Sequence, residues 1–142
     1  MRLSPFHSGL VVVLIVACTR TNAALMDTTV HLARTCPDAV KIYSSPANVG
    51  AQYQEVALLN SAGSTSFTTE SGMMTSMRKK AAEVGATGII MGNIDEPGAG
   101  AKVMGAVFGT GTERKGKSVA IYVPTDSTRV QSVCAAAAAA NK

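Results

Sequence analysis

The sequence contains no tryptophan, and its few Phe and Tyr residues bring aromatic content to only 4%. A chain this poor in rings offers few stacking platforms for unpaired bases, so its basic residues lack the setting of a single-strand nucleic-acid surface. Charge is sparse as well: 15% of residues, with a net +4 over 142 positions. That excess is mild and does not by itself require a polyanionic partner. Intrinsically disordered chains combine low hydrophobicity with high charge. This one is 46% apolar with mean hydropathy +0.20, which excludes that class. Three cysteines are too few for a densely stapled miniature scaffold, and the 13 glycines follow no period of three, so a collagen-like helix is excluded too.

Catalytic signatures are equally scarce. The histidines are His7 and His31, and no G-x-S-x-G, H-E-x-x-H or C-x-x-C occurs. Asp95 and Glu96 are adjacent, and neighbours on a strand point to opposite faces, so they do not converge as an acid/base pair. Pro97 marks a turn after them. Together these absences lead to the expectation that the protein is not an enzyme and carries no cofactor.

What is present begins at the N-terminus. Arg2 precedes an unbroken apolar run over residues 10–17, LVVVLIVA, followed by Cys18. A basic start, a short apolar stretch and a small residue at its end form the plan of a secretory signal peptide, here residues 1–17. The run is too short to cross a bilayer, which needs about 20 apolar residues in a helix. Three readings of the boundary stand open: lipidation at Cys18, ordinary cleavage after Ala23, or a Cys18 that is merely a buried apolar residue.

Ile15-Val16-Ala17-Cys18 resembles the lipobox of bacterial lipoproteins. The resemblance implies diacylglycerol on the Cys18 thiol, cleavage before it, and acylation of the new N-terminus. Two or more acyl chains anchor stably where one holds only marginally. Thr19 in place of an aspartate after the cysteine implies, by the same likeness, the outer membrane, with the domain facing the periplasm. The compartment is oxidising and permits disulfides.

Beyond Cys18, residues 18–35 are polar and weakly patterned and read as a tether. An αβ domain is expected over 36–134. Val40 and Ile42 alternate with Lys41 and Tyr43 as a short strand ended at Pro46, and 55–60 is a second strand. Residues 70–84 have the clearest helical pattern, with Thr68 or Thr69 as N-cap, Met73, Met77, Ala81 and Val84 on one face, and Gly85 as the C-terminal stop. The glycine-flanked run Ile89-Ile90-Met91 reads as a buried strand over 89–94, joined with 55–60 into one sheet by a right-handed crossover. Residues 102–108 and 117–123 read as a hairpin around a polar turn over 110–116. Asp126 is placed to cap a last helix in which Val130, Val133, Cys134 and Ala137 share a face. Residues 135–142 are an alanine-rich tail expected to fray. The fold class is α+β: a small mixed sheet packed by one main helix, plus a C-terminal helix.

Several motifs tempt a sharper reading. Gly111, Gly116, Lys117 and Ser118 fit G-x-x-x-x-G-K-[ST] letter for letter. A phosphate-binding loop needs a helix after it, however, and VAIYVP follows, which is strand-like and stopped by proline. No nucleotide is expected. Met73, Met74 and Met77 suit Cu(I) as thioethers, but at helical spacing methionine is ordinary core filler. Arg78-Lys79-Lys80 and Arg114, Lys115 and Lys117 could face anionic lipid headgroups or other envelope polyanions, with a solvated helix face and turn as the default reading. Cys36 and Cys134, nearly a hundred residues apart, are a redox or metal pair, two buried thiols, or one disulfide. A closure that long contributes about 4.7 kcal/mol in the chain-entropy picture.

The stretch from Val40 to Val123 resembles small envelope lipoproteins of uncharacterised function. The likeness is carried by VKIY, by MRKKAAEVGATGII over residues 77–90, and by the alternating strand that ends the stretch. More distantly, the plan of lipid anchor, polar tether and small disulfide-bonded αβ domain is similar to the Rcs stress-sensor lipoprotein of enteric bacteria. The likeness implies a fold and carries no binding residue across. The expected function is therefore that of a lipid-anchored cell-envelope protein acting by binding, as a sensor, scaffold or accessory factor. Its expected partners are the membrane, through acylated Cys18, and an envelope protein, with no nucleic acid. The alternative is an exported metal-binding protein or small enzyme assembled from Asp38, Asp95, Glu96, His31 or the cysteines.

Overall fold

The methionines at positions 73 and 77 fix where the main helix sits. Both are fully buried, and a Cβ added at Gly116 would come within 2.8 Å of Met77 Cε and 3.1 Å of Met73 Cε. The strand under the helix is therefore bare of side chain at the point where the two thioethers meet it. The computed structural model from which this packing is read describes residues 19–64, 68–95 and 112–141.

Five strands and two helices are present among the described residues. In chain order they are β1 (Arg20–Leu25), β2 (Lys41–Tyr43), β3 (Gln54–Ser64), α1 (Glu70–Glu83), β4 (Gly88–Asp95), β5 (Glu113–Tyr122) and α2 (Ser127–Ala140). Short 3-10 turns at Pro37–Ala39, Pro46–Val49 and Pro124–Asp126 each begin with a proline, whose fixed φ suits the first position of a helical turn. The strands form one mixed sheet in the order β1-β3-β5-β4-β2. Only β2 and β4 pair in parallel; the other neighbours are antiparallel. The expected α+β class is what the chain adopts.

Alternation along the strands sorts residues onto two faces. Ala57, Leu59 and Ser61 of β3 lie opposite Ala120, Ser118 and Gly116 of β5, and all are buried beneath α1. Ile89 continues this layer on β4, and Val40, Ala81, Ala82 and Ala86 close it. On the other face, Val49 and Tyr53 fold over Ile90, Ile121 and Val123. That face is uncovered toward β1, where Leu58, Asn60 and Lys117 are exposed.

The expected helix is present nearly to the residue. Thr69 caps α1 by accepting a hydrogen bond from the Gly72 amide at 3.0 Å, and Gly85 follows with φ +78°. The strands expected at 55–60 and 89–94 do lie in one sheet. Each is antiparallel to β5, which separates them, so they run parallel to one another.

Four details depart from the sequence reading. Residues 20–25, read as tether, form β1, paired with β3 from Arg20 opposite Ala62 to Leu25 opposite Ala57. Small and polar residues there gave no alternation to read, and the pairing is imposed by the exposed edge of β3. Residues 113–116, read as part of a turn, extend β5, because β3 runs on to Ser64 and offers partners. The alanine run stays helical to Ala140 as the end of α2, consistent with alanine's high helix propensity. Asp126 occupies the N-cap position of α2 without capping it; its carboxylate is held instead by Arg129 at 2.7 Å and Lys41 at 3.3 Å. The expected strand at 102–108, Glu96, and the signal segment with Cys18 lie outside the described residues.

Cys36 and Cys134 form a disulfide, with Cα atoms 5.5 Å apart. It holds α2 against the Pro37–Ala39 turn, where the Cys36 amide also donates to Cys134 Sγ at 3.2 Å and Arg129 donates to the Ala39 carbonyl at 3.0 Å. Val130 is the buried residue of this contact, with Val133, Cys134 and Ala137 half-buried on the expected face.

Candidate functional site

Hydroxyl side chains gather where β1 passes α1. Thr21 points inward from β1 and meets two of them, donating to Ser61 Oγ at 3.1 Å and lying 2.7 Å from Ser76 Oγ on the helix. One residue before the strand, the Thr19 hydroxyl lies 3.5 Å from that of the buried Thr68. The Thr68 carbonyl in turn accepts from Arg114 Nη1 at 3.1 Å. A seam of apolar contacts would have been the default between an edge strand and a helix. Here the contact is polar, and a groove opens along it.

The groove has two connected parts. One, of about 560 Å³, lies over the first turns of α1 and is lined by Thr19, Thr69, Ser71, Thr75, Ser76 and Lys79, among others. The second, of about 360 Å³, continues along β1 past Arg20 and Asn22 to Lys80 and Glu83, and shares Thr19, Ser76 and Lys79 with the first. Glu83 is engaged: Lys80 approaches it at 2.7 Å, and this hydrogen bond is the main reason its carboxyl titrates below the usual range. Arg20 and Lys79 form no ion pair among the described residues. The groove is thus rich in hydroxyls, carries an excess of positive charge, and is lined by no aliphatic or aromatic side chain.

A third cleft, of about 610 Å³, lies on the opposite side of α1, between Glu70 and Met74 on the helix and Ile42, Met91 and Ile94 on the sheet. Met74 is half-buried in its wall.

The residues singled out from sequence are dispersed. His31 and Asp38 are exposed near the disulfide end, whereas Asp95 sits at the far end of β4, opposite Lys115. The seven residue-to-residue steps of β4 from Gly88 to Asp95 span about 23 Å. Among the described residues, no three His, Cys, Asp or Glu side chains gather as metal ligands would. From Glu113 onward the phosphate-loop match is continuous strand, which puts Lys117 on the uncovered sheet face and Ser118 beneath α1, where its hydroxyl meets Met77 Sδ at 3.5 Å. Such a strand presents no cluster of amides at a helix start.

Thr19, Ser71, Thr75 and Ser76 were not legible as a site. Ser71, Thr75 and Lys79 follow one another at i, i+4 and i+8, a stripe visible in the sequence. Its significance depends on β1 lying beside it, which the sequence did not reveal.

Among the described residues no helix is long and apolar enough to cross a membrane. No protein-family model matches the chain, and no curated protein matches it by sequence. The crystal structure of the Francisella virulence factor FvfA is similar in fold, with a TM-score of 0.52 and 15% sequence identity, over 72% of this chain and 96% of that one.

Proposed function

We propose that the protein is a lipid-anchored component of the bacterial cell envelope, acylated at Cys18, acting by binding as a sensor, scaffold or accessory factor rather than by catalysis. The observation that carries this reading is the sequence Ile15-Val16-Ala17-Cys18 at the end of a short apolar run with a basic start. The Cys36–Cys134 disulfide supports it, since such bonds persist in oxidising compartments. The outer membrane, with the domain facing the periplasm, is the proposed location, and an envelope protein the proposed partner.

Metabolic labelling with a palmitate analogue tests the anchor. The wild-type chain should be labelled and Cys18→Ser should not. Equal labelling of the two would overturn the reading.

A further inference from the structure

We propose that the groove between β1 and α1 binds the headgroup of an anionic phospholipid. This rests on the lipid-anchor reading and goes beyond it: the anchor says where the chain is held, whereas the groove is a separate, non-covalent lipid site. Thr19 lines both parts of the groove. Consecutive Cα atoms are about 3.8 Å apart, so an acyl group on Cys18 brings the groove mouth to the level of the lipid headgroups.

The lining matches that ligand by its chemistry. Of the cations lining the groove, Arg20 and Lys79 form no ion pair among the described residues, and both border its second part. Its carboxylate, Glu83, is bound to Lys80. A positive excess therefore faces a phosphodiester, which carries one negative charge. Along the first part, the Ser71 hydroxyl makes no hydrogen bond among the described residues. The Thr69 hydroxyl accepts from Gly72 and keeps its proton to donate. Thr75 donates to the Ser71 carbonyl at 2.9 Å and keeps its lone pairs to accept. These groups suit the hydroxyls of a polyol head.

Shape and the backbone narrow the ligand further. Ser71 and Lys79 are eight residues apart on the helix, about 12 Å along its axis, which fits a phosphodiester with its polar head rather than a lone phosphate at one end. Of the amides at the start of α1, those of Gly72 and Met73 are already taken by Thr69. No aliphatic or aromatic side chain lines the groove to hold an acyl tail, which stays in the bilayer.

Native mass spectrometry of the full acylated chain, released from mild detergent with phosphatidylglycerol or phosphatidylethanolamine, reads both lipids at once. The covalent acyl mass should be accompanied by one retained phosphatidylglycerol, and phosphatidylethanolamine should be lost. Lys79→Ala and Arg20→Ala should each weaken retention about fivefold, as expected for one basic group at a lipid surface. Lys115→Ala, on the uncovered sheet face, should leave it unchanged.

Acylated protein that retains neither lipid, retains both equally, or is indifferent to Lys79→Ala would overturn the headgroup site while leaving the anchor intact. Displacement by soluble glycerophosphoglycerol at the concentration at which the lipid itself binds would assign the groove to a free phosphodiester and overturn its membrane source. A chain without acyl mass would remove the anchor reading and this inference together.

Discussion

Gly85 combines two constraints that a sequence cannot separate. Its φ is +78°, where a side chain is strained, and an added Cβ would collide with Leu32 and lie 2.7 Å from the Ala33 carbonyl. Gly50, with φ +66°, has the same strain but open space around it. Gly50→Ala should therefore cost about 1–2 kcal/mol from conformation alone, and Gly85→Ala measurably more, by urea denaturation. Equal losses would mean that the segment around Leu32 does not pack against the end of α1. At Asp126 the argument concerns protons. The hydrogen bond from Arg129, with help from Lys41, holds its carboxyl below the ordinary value despite an opposing effect of burial. A depressed acid stabilises the fold above its unfolded pKa of about 3.9, and that contribution disappears as pH falls through the lower folded value. Asp126→Asn should cost about 1–2 kcal/mol at pH 7 and should flatten the acid limb of the stability curve below about pH 4. A variant whose acid limb matches the wild type would show that the carboxylate contributes no proton linkage.

At the scale of elements, legibility followed how much of the signal was local. Helix α1 carries its own cap, its buried methionines and its terminal glycine, so it was read almost to its ends. Strand β1 carries none of these. It is set by the edge of β3, and Ala23 shows the consequence: a small residue in an apparently free tether packs against the main core cluster. Ala23→Asp should be silent in a tether. In β1 it places a carboxylate against that core and should cost about 2–3 kcal/mol, read as a lowered thermal midpoint. The start of β5 was hidden for a similar reason, since the charged residues and glycine at 113–116 resemble a turn until their partners on β3 are known. For α2 the disulfide is the decisive contact. Cys134→Ser should destabilise the domain by about 2–5 kcal/mol and speed amide exchange through the helix; unaltered exchange would mean that Val130 and Arg129 hold the helix unaided.

At the scale of the whole molecule, fold class was legible and the groove was not. The lipobox-like motif, the helix pattern and the strand pattern are each contiguous in sequence. The groove draws Thr19 and Arg20 from one end of the chain and residues 69–83 from its middle, and their proximity follows only from the sheet order. The pairing of Cys36 with Cys134 was one of several open readings for the same reason.

The disulfide also closes residues 36–134 into a covalent ring containing β2 to β5 and α1, with β1 outside it. Tension applied at residue 18 and resisted at the opposite pole runs along β1. It loads all six of the β1–β3 paired positions in shear instead of peeling them one by one. Once they slip, only the chain up to residue 35 can pay out, about 60 Å at full extension, before the ring stops it. Behind that breakaway strand, the rest of the domain is protected against being unravelled from its N-terminal end.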